Sequence, residues 1–134
     1  DSWAGILENN YVDFSLKYVN QIYEALNEEV PLILYNRGKL LSAFIHESSF
    51  KAYSINSSDQ IENYIDDDIT IQGNLNPDFF KKNEEEIELK AHEIFTKFKD
   101  RKNYIFNVGE GLTPDLDPEK IKIFLKTLRS LNSQ

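Results

Sequence analysis

Apolar residues recur at spacings of three and four along the first part of the chain, over residues 9–28. This period matches the roughly 3.6 residues per turn of an α-helix, so it predicts an amphipathic helix with one apolar face. We expect that face to cover a sheet. Its predicted members are Tyr11, Val12, Ser15, Val19, Ile22, Tyr23 and Leu26.

Short apolar runs with turn residues at their ends predict four β-strands. Residues 30–35 show no polar alternation, which is typical of a strand buried on both faces of a parallel sheet. The other predicted strands cover residues 50–55, 69–72 and 104–108. Glycine lets a backbone turn tightly or approach a ligand closely, and all five glycines follow apolar runs. They are Gly5, Gly38, Gly73, Gly109 and Gly111.

Helical patterns alternate with these strands. Residues 39–47 and 59–65 predict short helices. Asn83 is predicted to cap a longer helix that begins with three glutamates and ends with basic residues, so its charges oppose the helix dipole. Asp117 and Pro118 predict the start of the last helix. The apolar positions expected to be buried in these two helices are Ile87, Ala91, Ile94, Phe95, Phe98, Ile121, Phe124, Leu125 and Leu128.

The order of elements is a helix followed by four strand-helix units, which predicts an α/β fold with parallel strands. Two architectures fit this order: a small doubly wound, flavodoxin-like sheet, or part of a (β/α)8 TIM barrel. Length favours the first if the 134 residues are a whole protein, because a barrel takes roughly 250 residues. The abrupt start at Asp1 and the lack of methionine favour the second. We therefore expect residues 1–134 to be a fragment of a single domain.

Composition narrows the functional classes. The net charge of −8 argues against the basic surface that nucleic-acid binding requires. No apolar stretch approaches the roughly 20 residues that span a bilayer, so we expect no membrane contact and a cytoplasmic location. The chain has no cysteine, which excludes disulfides and thiolate metal sites.

Three collinear segments carry a family resemblance. They read DSWAG at residues 1–5, IQGNLNP at residues 71–77 and IFNVGEGLTP at residues 105–114, and DLDPE follows at residues 115–119. Together they resemble the C-terminal portion of uroporphyrinogen decarboxylase, from Asp1 to nearly the last residue. The resemblance implies the C-terminal half of a TIM barrel, and a cytoplasmic homodimer that needs no metal or other cofactor.

The activity implied by the resemblance is removal of carboxyl groups from the four acetate arms of uroporphyrinogen, giving coproporphyrinogen. Its chemistry is thought to use protonation of the electron-rich pyrrole before CO2 leaves. The family's arginine-rich loop, its aspartate that binds the pyrrole N–H groups and its tyrosine belong to the earlier part of the enzyme. We therefore expect no catalytic residue in this chain, and activity only together with that earlier part.

Three residues are expected to bind substrate if the resemblance holds. Ser2 stands where the family has a substrate-contacting serine or threonine. Glu110 stands where the family pattern asparagine-leucine-glycine-histidine-glycine places a histidine that reaches the substrate. Arg37 lies in the segment YNRGK, where the family more often shows phenylalanine-alanine-lysine, and it can offer a cation to a carboxylate. A glutamate beside a polycarboxylic acid is repelled unless it is protonated or paired. We therefore expect Glu110 to lie at the mouth of the fold but not to contact the substrate as the family's histidine does.

The other polar candidates have simpler interpretations. His46 and His92 are expected on helix surfaces rather than in a metal site, and the acidic residues 66–68 in a solvated turn. Asn74 and Asn107 lie near strand ends, where they either meet a ligand or bond neighbouring backbone, and the sequence leaves both options open.

Two hypotheses compete with the decarboxylase. The altered positions at Glu110 and residues 35–39 favour a catalytically inactive homologue that binds through the same barrel. A complete flavodoxin-like signalling or nucleotide domain is a weaker alternative, because the chain lacks the glycine-rich phosphate loop with its lysine and the Gly-x-Gly-x-x-Gly pattern. The related zinc-dependent methyltransferases need cysteine ligands, so that branch is excluded.

Overall fold

A computed structural model describes residues 7, 10–26, 30–37, 42–64 and 68–133. Several predictions concern residues outside these ranges and have no structural outcome. They are the substrate contact at Ser2, the strand end at residues 1–5, the glycines Gly5 and Gly38, and the acidic turn residues Asp66 and Asp67.

Four parallel strands form one sheet in the order of the chain. They are β1 (Leu34–Tyr35), β2 (Ala52–Ser54), β3 (Thr70–Leu75) and β4 (Tyr104–Val108). A doubly wound sheet has a point at which the strand order reverses, and the described strands contain none. Sequential parallel order is that of a (β/α)8 barrel, so the sheet is part of a barrel and the flavodoxin-like alternative was wrong.

Helices connect the strands. They are α1 (Lys17–Leu26), α2 (Ser42–Glu47), α3 (Glu84–Phe98) and α4 (Pro118–Asn132). A π-helical turn, Val12–Leu16, leads directly into α1. Short 3-10 turns cover Ile61–Tyr64 and Pro77–Lys81, so the short helix predicted at residues 59–65 is a single tight turn. None of the helices in these ranges is long and apolar enough to cross a membrane.

The two long helices begin where their caps predict. The Asn83 side chain accepts a hydrogen bond from the Glu86 backbone N–H at 2.9 Å, and Glu86 accepts one in return from the Asn83 N–H at 3.3 Å. This reciprocal pair is a capping box. Asp117 accepts from the Glu119 N–H at 2.9 Å, with Pro118 in the first turn of α4.

Two apolar clusters lie between the helices and one face of the sheet. Tyr11 and Phe44 join α2 to the turn before α1, with ring centroids 4.4 Å apart. The ring centroids of Phe106 on β4 and Phe124 on α4 are 5.0 Å apart. The first cluster contains Tyr11, Leu16, Leu34, Phe44, Phe50, Tyr53, Ile55, Ile61, Tyr64, Ile69, Ile71 and Phe98. The second contains Leu75, Phe80, Ile87, Ala91, Leu116 and Phe124.

The buried face of α1 differs from the predicted one. Ile22 and Leu26 are exposed, whereas Leu16, which was not predicted to be buried, is covered completely. The π-helical turn explains the change, because it adds a residue to one turn and rotates the residues that follow it relative to a regular 3.6-residue helix. Leu125 of α4 is also more exposed than its apolar spacing predicted.

The opposite face of the sheet is uncovered in the described part of the chain. Ile105 is exposed, although its neighbour Phe106 packs on α4. Ile33 and Tyr35 are exposed beside the buried Leu34, so the described residues bury only one face of the strand predicted at residues 30–35. Side chains alternate between the two faces of a strand, and this second face is the one that points into the centre of a barrel.

Candidate functional site

An open cleft of about 390 Å³ lies at the carboxyl ends of the strands, where (β/α)8 barrels place their active sites. All four strands and the loop after β4 contribute to it. Its polar lining residues are Tyr35, Ser54, Gln72, Asn107 and Glu110. The strands hold these side chains on the inner face, so the cleft opens towards the centre of the barrel.

Neutral hydrogen-bonding groups dominate the inner wall of the cleft. Gln72 Nε2 donates to Ser54 Oγ at 3.2 Å, which links β3 to β2. The Tyr35 hydroxyl donates to the carbonyl oxygen of Gly109 at 3.3 Å, which links β1 to the loop after β4. Asn107 Oδ1 accepts from the Val108 N–H at 2.9 Å. Such groups can orient polar parts of a ligand, but they supply no positive charge to a carboxylate.

Glu110 lies at the mouth of this cleft, and its carboxylate is bonded to protein groups. Its Oε1 accepts from the Ser57 hydroxyl at 2.6 Å and from the Ser57 backbone N–H at 3.2 Å. Ser57 lies in the loop after β2. Glu110 also borders a neighbouring hollow of about 290 Å³, lined by Ser57, Asn76 and Thr113 among others. No local sequence pattern marks Ser57 as a site residue, because its partner is distant in the chain.

Gly109 is required by this contact between loops. A Cβ at Gly109 would lie 2.1 Å from the Ser57 nitrogen and 2.6 Å from its Cα, so no side chain fits. The Gly109 N–H donates to the Leu75 carbonyl at 2.9 Å, which continues the pairing of β4 with β3. Around Gly111, by contrast, a Cβ would meet no atom within 4 Å.

The end of β3 supports the loop after β2. Asn74 Nδ2 donates to the carbonyl oxygens of Asn56 at 2.9 Å and Asp59 at 2.7 Å. The sequence left open whether Asn74 meets a ligand or bonds to backbone, and the structure shows the bonds to backbone. Gly73 has a φ of 140°, which a residue with a side chain rarely adopts. The Tyr104 hydroxyl donates to the Gly73 carbonyl at 2.6 Å, and burial raises the pKa of that hydroxyl.

Lys81 is paired with two carboxylates, and one of them, Asp78, lines the neighbouring hollow. Lys81 lies 2.7 Å from Asp78 and 3.1 Å from Asp115, and all three side chains are exposed. Hydrogen bonds from Thr113 and then from Lys81 lower the pKa of Asp115, while those to Asp78 and Asp115 raise the pKa of Lys81.

Arg37 is exposed in the turn beyond β1 and does not line the cleft. Its neighbour Asn36 is buried, and neither polar atom of its side chain has a hydrogen-bond partner among the described residues.

His46 and His92 are exposed on helices, as predicted. Within the described ranges, no group of three or more acidic or histidine side chains could hold a metal ion.

Comparison with known proteins identifies the family. The sequence model described as "Uroporphyrinogen decarboxylase (URO-D)" matches residues 1–131. The uroporphyrinogen decarboxylase of Vesicomyosocius okutanii is 33% identical over an alignment of 143 residues, which covers 100% of this chain and 41% of that protein. The uroporphyrinogen decarboxylase of Christiangramia forsetii is 34% identical over 135 residues, covering 96% of this chain and 39% of its own length.

A third relative, the uroporphyrinogen decarboxylase of Pseudoalteromonas translucida, is 30% identical over 145 residues, covering 100% of this chain and 41% of that protein. The chain thus spans about two fifths of the length of the relatives it matches. Because the family model covers almost the whole chain, the protein belongs to the uroporphyrinogen decarboxylase family.

Proposed function

We propose that this chain forms the closing strands and part of the active-site rim of a uroporphyrinogen decarboxylase. The observation that carries the proposal is the polar cleft at the carboxyl ends of four sequential parallel strands, in a chain that the family model matches over residues 1–131. The substrate would be uroporphyrinogen and the product coproporphyrinogen. The complete protein would be a homodimer in the cytoplasm that uses no metal or prosthetic group.

The proposed reaction breaks one carbon–carbon bond for each acetate arm. A proton adds to the pyrrole carbon next to the arm, the bond to the carboxylate breaks, and its electron pair returns to the ring as CO2 leaves. A second proton then converts the remaining carbon into a methyl group, and the ring carbon gives up the first proton, which restores the pyrrole. One proton is therefore consumed for each CO2 released. The protein must hold the polyanion in position and stabilise transient charge.

Within this reaction, the chain's own residues would bind and orient. Gln72 and Asn107 face the cleft from adjacent strands and offer amide groups to the tetrapyrrole or its propionate and acetate arms. Ser2 is proposed as a further substrate contact on the family resemblance. Glu110 is proposed from its place at the mouth of the cleft, and Arg37 as a cation for a carboxylate in the turn beyond β1. The cations that neutralise eight carboxylates, and the groups that transfer protons, would come from the remaining three fifths of the protein.

The test is an assay of the intact protein that contains this chain. Incubated anaerobically with uroporphyrinogen, it should release CO2 and accumulate coproporphyrinogen. A folded intact protein that converts no substrate would overturn the enzymatic proposal.

A second candidate is an inactive homologue that binds tetrapyrroles through the same cleft. The bonding of Glu110 to Ser57 favours it, because the family's histidine position is here occupied by a group already engaged with protein. Replacing Glu110→His in the intact protein separates the two candidates. A gain of decarboxylation supports a decayed site, whereas a loss of existing activity supports a working glutamate.

A further inference from the structure

Glu110 brings a negative charge to the mouth of the cleft. Among the described residues that line the cleft, it is the charged one, and the others are apolar or polar and neutral. The adjoining hollow adds a second carboxylate, Asp78, which is paired with Lys81. Within the described ranges, no lysine or arginine forms an ion pair with Glu110. Glu110 is therefore the uncompensated charge on this part of the rim.

The Glu110 carboxylate is held in place by the loop after β2. Its Oε1 accepts from both the hydroxyl and the backbone N–H of Ser57, and an ionised carboxylate can only accept hydrogen bonds. Asn74 ties the same loop to the end of β3, and Gly109 lies so close to Ser57 that no side chain fits between them. The charge consequently cannot turn away from an arriving anion without breaking its bonds to Ser57.

The charge of the proposed substrate falls in the course of the reaction. Uroporphyrinogen carries four acetate and four propionate carboxylates, and each CO2 released leaves a methyl group in place of an acetate arm. Like charges at short range oppose binding, so repulsion by a fixed carboxylate weakens with every step. The propionate arms are common to all of these compounds and contribute little to the difference between them.

We propose that Glu110 sets the substrate preference of the cleft, by disfavouring porphyrinogens that keep all their acetate carboxylates relative to those that are partly decarboxylated. Specificity then comes from repulsion of one ligand rather than from added contacts to another. The inference rests on the proposed function for the identity of the ligand, but it concerns binding and does not require turnover. A cation elsewhere in the intact protein that pairs with Glu110 would cancel the effect.

The experiment compares two stable, oxidised porphyrins that the protein cannot turn over. The intact protein is titrated with uroporphyrin, which has eight carboxylates, and with coproporphyrin, which has four, and both Kd values are measured by fluorescence. Glu110→Gln should lower the ratio of the uroporphyrin Kd to the coproporphyrin Kd by about tenfold, because it removes the charge. It keeps a side-chain oxygen that can accept from Ser57.

Glu93→Gln is the matched control. It removes the same charge from an exposed site on α3, where Glu93 pairs with Lys90, and it should leave the ratio unchanged within about twofold. An equal fall in both variants would overturn the inference, because the effect would then come from the total charge of the protein. An unchanged ratio in the Glu110→Gln variant would also overturn it, and is the result expected if a cation pairs with Glu110.

Ser57→Ala covers the case in which the Glu110→Gln variant does not fold. Loss of the hydroxyl that donates at 2.6 Å lets the carboxylate turn from the ligand, so the ratio should fall by about twofold or more. No change in this variant would count against the inference.

Turnover gives an independent readout. The kcat/KM of the porphyrinogen with five carboxylates, relative to that of uroporphyrinogen, should fall about tenfold in the Glu110→Gln variant. If the intact protein converts neither compound, the proposed decarboxylation fails, whereas the ratio of Kd values still decides the inference. An intact protein that binds neither porphyrin would overturn the inference as well.

Discussion

The Ser57 hydroxyl donates a 2.6 Å hydrogen bond to Oε1 of Glu110, and the Ser57 backbone N–H donates to the same oxygen at 3.2 Å. These residues are 53 positions apart, in the loops after β2 and β4. Their bonds join the two loops across the end of β3, where Asn74 also holds the first loop. The Glu110 carboxylate is thereby supplied with donors at a rim where the proposed substrate brings further negative charge.

We expect Ser57 and Glu110 to be energetically coupled. Hydrogen bonds to a charged group contribute about 1.5–3 kcal/mol when buried, and partial exposure reduces this. In a double-mutant cycle with Ser57→Ala and Glu110→Ala, denaturant unfolding should give a coupling energy of about 1 kcal/mol. The Lys90–Glu93 pair on the surface of α3 is the control, and its coupling energy should be only a few tenths of a kcal/mol. Strictly additive effects at Ser57 and Glu110 would contradict the structural role assigned to this contact.

The two glycines of the loop after β4 should respond differently to substitution. Gly109→Ala places a Cβ 2.1 Å from the Ser57 nitrogen, so the backbone of one loop must move. Overpacking of this kind costs about 1–3 kcal/mol or more. Gly111→Ala meets no atom within 4 Å and should change the free energy of unfolding by less than about 0.5 kcal/mol. Chemical denaturation of both variants tests this, and similar losses would disprove the close approach at Gly109.

The features that were predicted from sequence depend on residues close together in the chain. The cap of α3 at Asn83 is one example, and the strand Tyr104–Val108 is another, because its apolar run ends in a clear turn. The parallel direction of the strands followed from the alternation of strands and helices, and only the observed pairing in sequential order chose between the two architectures. Each of these signals involves residues that are close together in the chain, so it can be recognised from a single sequence.

The features that were missed depend on distant or cooperative contacts. The Ser57–Glu110 pair joins two loops that only the folded sheet brings together. The π-helical turn at Val12–Leu16 shifts the face of α1, and no residue type marks it. Only Leu34–Tyr35 of the predicted strand at residues 30–35 forms a strand in the described structure.

If the cleft binds uroporphyrinogen, Gln72 should contribute to catalysis by the intact protein. Gln72→Leu keeps the approximate size of the side chain and removes the amide that faces the cleft. Loss of one hydrogen bond of about 1.4 kcal/mol predicts a decrease of about tenfold in kcat/KM. Thr70→Val is the matched control, because Thr70 lies two residues earlier on the same strand, away from its carboxyl end. An unchanged kcat/KM in the Gln72 variant would show that this side chain does not contribute to substrate binding.

Two buried tyrosines should limit stability at alkaline pH. Burial, and then the nearby Tyr53, raise the pKa of Tyr11 from 10.0 to about 12. Burial, and then the Asp59 carboxylate that accepts its hydroxyl hydrogen bond at 3.3 Å, raise the pKa of Tyr64 to about 12. Above pH 10 the unfolded chain loses these protons first, so it binds fewer protons than the folded chain. The free energy of unfolding should therefore be unaffected by these groups below pH 10, and fall between about pH 10 and 12.

Removal of one hydroxyl tests this assignment. The Tyr11 hydroxyl is buried and has no hydrogen-bond partner in the described part of the chain. At pH 7, Tyr11→Phe should consequently be neutral or slightly stabilising, because it removes an unsatisfied polar group. Above pH 10 the variant should lose less stability than the parent, since one of the raised tyrosine pKa values is gone. Circular dichroism and tyrosinate absorbance, followed together against pH, measure both effects. Identical alkaline unfolding curves for the two proteins would show that Tyr11 ionises no later in the folded chain than in the unfolded one.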